Sequence, residues 1–197
     1  MSIDLELLKS YYSNQLAGEP HKSVRYWCED ESREDRHTIP GRKITVTGVK
    51  SVGQVQWSSE KYYLYGLVEP KSGENFFWEF SHMDSTCFES YLREFARTYP
   101  EGLHIIQLDN GPLHKAKKLQ VPPNILLLFQ PPSSPELNPI ERLWEHLKGQ
   151  LKWQVFKDLK HLQERVSQQL KNLGQEVITS LTGWGYILDA LSVIAQT

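Results

Sequence analysis

The sequence predicts an α/β domain, a mixed sheet with helices against its faces, and three observations carry that prediction. Two short runs, LHIIQL ending at Leu108 and NILLLF ending at Phe129, are almost continuously apolar. Strands of a central sheet covered on both faces read this way. Two aromatic runs, Tyr62 to Val68 and Asn75 to Phe80, flank a turn segment containing Pro70 and Gly73 and read as a hairpin. After the hairpin, Phe88, Leu92 and Phe95 recur at helical spacing.

The remaining elements follow in order. A short helix from Ile3 to about Leu16 ends at Gly18-Glu19-Pro20, so residues 1–22 read as an N-terminal helix and linker. SVRYWCED gives a first strand, Val24 to Glu29, with Asp30 at its end. Arg36 to Ser59 contains Pro40-Gly41, a strand candidate from Lys43 to Val49, and Gly53; it reads as a β-excursion or a mobile loop. The helix from Asp84 to Tyr99 takes Asp84 or Ser85 as its N-cap. Then come the strand Leu103 to Leu108, a short helix near Leu113 to Leu119, and the strand Ile125 to Phe129. A helix starts at Pro139, and others run from about Lys157 to Leu173 and after Gly183. This is the element order of a ribonuclease-H-like mixed sheet with flanking helices. It assigns residues 23–175 to one domain and 176–197 to a helical tail.

At 197 residues, 39 % hydrophobic and with six Trp, the chain has enough apolar material for one folded domain. No apolar stretch approaches the roughly 20 residues of a membrane span, and the N-terminus lacks a signal-peptide core. Cys28 and Cys87 have no metal-ligand spacing and cannot build a disulfide framework, so a reducing cytoplasm is the default compartment. A net charge of −2 and a pI near 6.4 argue against a nucleic-acid binder, but the charge is unevenly placed. From Arg142 to Leu173 seven Lys and Arg face three acids, whereas Glu29, Asp30, Glu31, Glu34 and Asp35 crowd the other end. Lys148, Lys152, Lys157 and Lys160 are the candidate phosphate contacts on this basic flank. A merely solvated helix face explains them equally well. The hairpin aromatics could stack bases, but packing in the sheet is the better reading.

Three acids stand out. Asp109 follows an apolar strand and falls at its carboxyl end, where open α/β sheets bind ligands. Asp-Asn-Gly-Pro is also a turn sequence, which gives Asp109 a purely structural alternative. Glu141 lies in the first turn of a helix. With Asn138 as N-cap and Pro139 at the first position it would occupy the acid position of a capping box, and Glu145 one turn on is an alternate ligand. Asp30 alternates with Glu29 and Glu31, so it shares a face with Tyr26 and Cys28 while both glutamates take the other. Carboxylates at strand and helix ends are the oxygen donors that Mg2+ and Mn2+ prefer, and a pair of such ions can clamp a phosphodiester.

Three segments also carry a family resemblance: CEDES (Cys28 to Ser32), LDNGPLH (Leu108 to His114) and PPSSPELNPIERLWEHLK (Pro131 to Lys148). The chain resembles, from about Tyr26 to Leu170, the catalytic domain of a DDE transposase of the insertion-sequence branch related to the mariner elements. The resemblance implies two Mg2+ or Mn2+ ions held by Asp30, Asp109 and Glu141, cleavage of DNA, and transfer of a 3′-hydroxyl to a target. Asn110 and His114 belong to the second motif; they would orient Asp109 or position water or phosphate, and His114 is not read as a metal ligand. Implied partners are element ends and target DNA in a bacterial, nucleoid-associated setting, with room for a homodimer. Family members carry helix-turn-helix modules before the first Asp, and 29 residues are too few for them. The chain therefore reads as a catalytic half, completed by a separately encoded reading frame, left as a remnant, or borrowed for another role. Two alternatives stay open: a hydrolytic nuclease on the same fold, and a non-catalytic DNA-binding or protein-interaction remnant.

Overall fold

The computed structural model describes residues 23–189, apart from 117, 118, 133 and 186. The helix expected from Ile3 to Leu16 and most of the segment after Gly183 lie outside the described residues. Five strands form one mixed sheet in the order β3-β2-β1-β4-β5. They are β1 (Val24–Asp35), β2 (Lys61–Val68), β3 (Asn75–Phe80), β4 (Leu103–Leu108) and β5 (Ile125–Phe129). β1 pairs antiparallel with β2 and parallel with β4, and β4 pairs parallel with β5. Among the described residues, four α-helices have both ends defined, in chain order α1 (Ser85–Thr98), α2 (Ile140–Leu151), α3 (Leu159–Lys171) and α4 (Gln175–Thr182). This is the ribonuclease-H-like arrangement that the element order predicts.

Strand alternation sorts the core into two layers. Tyr26, Cys28, Leu64 and Ile105 face one side and pack with Leu143, Trp144 and Leu147 of α2, Leu162 and Val166 of α3, and Ile178 of α4. Trp27, Tyr65, Leu67, Ile106 and Leu108 face the other and pack on Phe88, Tyr91, Leu92 and Phe95 of α1. The hairpin aromatics belong largely to these layers; Tyr65, for example, is fully buried. Every residue of β4 is buried, as a parallel strand covered on both faces should be.

β1 is longer than its apolar run suggests. Its polar second half remains strand because β2 pairs with it from Cys28↔Val68 to Asp35↔Lys61. The parallel neighbour stops sooner, the last β1–β4 pair being Cys28↔Gln107. Asp30 is thus in the middle of a strand rather than at its end, yet it lies where β4 runs out. Continuing the register by two residues sets it beside Asp109.

Two expected elements are absent among the described residues. The stretch from Lys43 to Val49 is not a strand: residues 36–60 form an irregular excursion whose base is closed by Arg36 N–H to Glu60 O and Thr38 N–H to Gln56 O. Its Ile44, Val46, Val49 and Val52 side chains are exposed, so the alternating apolar pattern has no sheet face to join. The excursion is docked by Trp153 N–H to Ile39 O and by Gln56 against Phe156. Around Leu113 to Leu119 the described residues form turns, with His114 N–H bonded to Gly111 O, instead of a helix.

Helix starts obey local chemistry. Asp84 caps α1 by accepting from Thr86 N and Cys87 N at 2.9 Å each. Asp158 does the same for α3 through His161 N. Each such cap stabilises its helix by about 1 kcal/mol.

Candidate active site

A cavity of about 410 Å3 opens at the carboxyl ends of β4 and β5, and Asp30, Asp109 and Glu141 all line it. The sequence spreads these acids over more than a hundred residues; the sheet order and the α2 start gather them. Asp30 comes from β1, Asp109 directly follows β4, and Glu141 is in the first turn of α2.

Asp30 is held from the α2 side. Trp144 Nε1 donates to its Oδ2 at 2.9 Å. The indole fits because Gly66 stands opposite Asp30 on β2, where a Cβ would lie 2.6 Å from the Trp144 ring. Burial pushes the Asp30 carboxyl up to about 8, and the negative charges of Glu141 and Glu31 add to the shift. Trp144 and the Glu31 backbone N–H oppose it.

Asp109 is half exposed at the cavity mouth. Its Oδ1 accepts from Gly111 N at 2.7 Å and lies 2.8 Å from His114 Nδ1. Gly111 can approach this closely because it lacks a Cβ, which would sit 2.9 Å from the same oxygen. The adjacent Asn110 uses its side-chain amide internally, donating to Gln130 O and tying the ends of β4 and β5 together. Asn110 is thereby a strut of the cavity that it lines.

His114 is buried. Its ring packs against Phe88, with 4.5 Å between ring centres, and bridges two carboxylates. Nδ1 meets Asp109 Oδ1, and Nε2 meets Glu31 Oε1 at 3.0 Å. Burial alone would lower its pKa, but Glu31 and Asp109 outweigh burial and leave it raised. Beneath it lies Glu29, fully buried, with neither side-chain oxygen hydrogen-bonded and Oε2 3.6 Å from His114 Nε2. Burial, with Glu31, Asp30 and Asp109 nearby, raises Glu29 well above the usual carboxyl range. The ligand atoms of Glu29, Glu31 and His114 lie within 4.8 Å of one another, on the sheet face opposite Asp30.

The capping box at α2 does not form. Asn138 sends its backbone N–H to Pro135 O at 2.9 Å, and its buried side-chain amide donates to Glu29 O at 2.7 Å. Asn138 therefore bolts the helix start to β1 instead of capping the helix. Gln107 of β4 adds a second bolt, donating to Leu137 O at 2.9 Å. Glu141 is left half-buried at the cavity, raised by burial and by Glu145 and Asp109, against the opposing charge of Lys148.

The four lysines do not form one equivalent set. Lys148 is half-buried and its charge acts on Glu34 and Glu141, so it belongs to the acid site. Lys152, Lys157 and Lys160 are exposed around the α2–α3 connection, and Lys160 lies 3.9 Å from Glu164. Sequence reasoning missed Trp144, Glu31 and Gln107. Trp144 was reachable, since it is three residues after Glu141 and shares its helix face. Glu31 and Gln107 act through long-range packing that no local pattern reveals.

The donor set suits a hard divalent cation. Carboxylates from three segments face one cavity; burial and the charge of Glu141 raise Asp30, and burial and the charge of Asp109 raise Glu141, a repulsion that a cation relieves. A ribonuclease-H-like sheet that brings acids from the middle of β1, the end of β4 and the start of α2 to one cavity is the arrangement that the three motifs imply. The chain belongs to the DDE superfamily endonucleases, whose family model matches residues 25–163. Among its relatives, the uncharacterized protein y4pE/y4sA of Sinorhizobium fredii is 37 % identical over 98 residues, covering 49 % of this chain and 73 % of that protein. The uncharacterized 39 kDa protein of insertion element IS630 from Shigella sonnei is 30 % identical over 122 residues, covering 55 % of this chain and 36 % of that protein. The Mos1 mariner paired end complex with Mn shares the fold at a TM-score of 0.65 and 18 % identity, over 89 % of this chain and 55 % of that one. The chain thus spans about a third of the IS630 protein and about half of the Mos1 chain. The DDE family is the one the three motifs imply.

Proposed function

We propose that this domain cuts DNA strands and joins a 3′-hydroxyl to a target phosphodiester, with Asp30, Asp109 and Glu141 holding one or two Mg2+ or Mn2+ ions. The observation that carries this reading is the convergence of these three acids, from β1, the β4 end and the α2 start, on one cavity. DNA as substrate is supported by the Mos1 neighbours, which are a paired-end complex with the left transposon end and a strand transfer complex. Bound divalent ions supply Lewis acidity at the phosphoryl group and lower the pKa of the attacking hydroxyl.

The chain's own residues provide placement. Trp144 and the Gly66 gap set the Asp30 carboxylate, Gly111 N–H and His114 set that of Asp109, and Asn138 and Gln107 fix the α2 start that carries Glu141. Lys152, Lys157 and Lys160 offer exposed positive charge to the backbone of a bound strand. In cleavage, water attacks phosphorus while the bond to the 3′-oxygen breaks; in joining, a DNA 3′-hydroxyl is the attacker. Neither step requires a covalent link to the protein. Recognition of element ends would come from a helix-turn-helix partner outside this domain.

The test is nicking of a supercoiled plasmid and joining of an oligonucleotide bearing a free 3′-hydroxyl, each with Mg2+ or Mn2+. Asp109→Asn and Glu141→Gln should each slow both reactions about a hundredfold or more, by raising the barrier by about 3 kcal/mol or more. A capping role predicts no such loss for Glu141→Gln, because Gln also serves there. Hydrolysis without joining would return the domain to a nuclease. Full joining by a folded Glu141→Gln protein would remove Glu141 from the site.

A further inference from the structure

We infer that Glu31 and His114 are positioning residues for Asp109, a relay that fixes which carboxylate oxygen is offered to a cation. The inference rests on the metal-site reading above and adds Glu31 behind His114, together with the choice of the Asp109 oxygen. Asp109 stands beyond the end of β4, where no strand partner fixes its backbone, and its side chain is half exposed. A carboxylate in that position would sample several rotamers. His114 prevents this from the buried side: its Nδ1 lies 2.8 Å from Asp109 Oδ1, and Gly111 N–H falls on the same oxygen at 2.7 Å. With Oδ1 engaged twice, Oδ2 is the oxygen presented to the ion.

The imidazole is fixed in turn. Phe88 packs against its ring, and Glu31 Oε1 meets Nε2 at 3.0 Å from β1. Glu31 comes from the residue after Asp30, so strand alternation gives neighbouring side chains complementary tasks. Asp30 reaches the cavity from one face, while Glu31 supports the opposite face. Hydrogen-bonding partners behind metal ligands are worth about 10–100-fold in metal affinity in sites of this kind.

The nearby Glu29 supplies the rival reading. Its two unpartnered oxygens beside Glu31 and His114 could instead mark this cluster as a cation site of its own. The two readings differ in which variants lose metal.

The experiment is Mn2+ binding to the full chain by calorimetry, with DNA affinity measured in parallel by fluorescence anisotropy. Relay function predicts that His114→Ala and Glu31→Ala each weaken Mn2+ binding about 10–100-fold, with DNA affinity unchanged. Glu31→Gln keeps an acceptor for Nε2 and should restore near-native Mn2+ affinity. A double Asp109→Asn, His114→Ala protein should be no worse than Asp109→Asn alone, since His114 acts through Asp109. If His114→Ala fails to fold, His114→Gln, whose amide reaches one carboxylate, should give an intermediate loss. Native Mn2+ affinity in folded His114→Ala or His114→Gln, with Asp109→Asn impaired, overturns the relay and leaves the metal site intact. Native affinity in Asp109→Asn as well overturns the metal-site reading itself. Mn2+ binding that survives Asp109→Asn but disappears in both Glu31→Ala and His114→Ala overturns the relay in favour of a cation at the Glu29 cluster.

Discussion

Asp30→Asn should stabilise the metal-free protein at neutral pH and remove its response to metal. Burial first, then Glu141 and Glu31, raises the folded Asp30 carboxyl from an ordinary 3.8 to about 8. A carboxyl with a raised folded pKa binds its proton more tightly in the native state. Its contribution is therefore fully favourable below pH 4 and is lost progressively as pH climbs from about 4 to about 8. At pH 7 the full shift corresponds to about 4 kcal/mol, at 1.36 kcal/mol per tenfold change in proton affinity. Asp30 is only partly covered at an open cavity, so water screens the effect, and about 2 kcal/mol is the reasonable expectation. Asn does not titrate and still offers Trp144 an acceptor oxygen. Glu29 and Glu34, which are also raised, remain in both proteins and cancel in the difference. The assay is thermal melting in EDTA at pH 5 and pH 8. Wild type should lose about 4–8 °C more than Asp30→Asn across that interval, for a domain of this size. Mn2+ at a hundred times its dissociation constant should restore about 2.7 kcal/mol to wild type, with little or no gain in Asp30→Asn. Parallel melting curves for the two proteins at both pH values would refute the electrostatic reasoning.

Two further substitutions probe the supports. Gly66→Ala places a methyl 2.6 Å from the Trp144 ring, so overpacking should cost about 1–3 kcal/mol and displace the Asp30 donor; unchanged melting and unchanged Mn2+ affinity would show that the indole is not held there. Replacing Lys152, Lys157 and Lys160 together by Ala should weaken DNA binding irrespective of sequence and reduce the salt slope by about 0.9 for each phosphate no longer neutralised. Lys148→Ala should change the slope least, because its half-buried charge already acts on Glu34 and Glu141; an equal effect from Lys148 would mean that the basic flank is one continuous surface.

The fold is legible wherever a segment's own pattern decides its state. LHIIQL and NILLLF are strands because each is a short, almost continuously apolar run, and Asp84 caps α1 because its side chain can reach Thr86 N and Cys87 N locally. Legibility fails where distant partners decide. Arg33 and Asp35 are strand only because β2 pairs with them, whereas Ile44 and Val46 alternate like a strand but find no sheet to join. Asn138 and Glu141 have the spacing of a capping box, yet the Glu29 carbonyl, 109 residues away, takes the Asn138 amide. His114 reads like an exposed loop residue because the partner that closes its far side, Glu31, comes from β1, 83 residues away, and only Asp109 is local.

The position of the cavity follows from a step in the sheet. At Asp30 the antiparallel neighbour β2 continues to Lys61, whereas the parallel neighbour β4 has already given way to the Asp109–Gly111 turn. The backbone at Asp30 is thereby rigid on one edge and open on the other. A carboxylate needed for a cation gains from both conditions: the β2 ladder holds the main chain, and the vacated edge leaves space beside the side chain. Extending β4 by two residues would pair Asp109 with the strand and close that space. Asn110 resists such an extension, because its side chain bonds to Gln130 O at the end of β5, and Gly111 turns the chain back towards Asp109. The second motif thus contributes more than an acid: Asn110 and Gly111 end the strand at the residue where the acid must face the cavity.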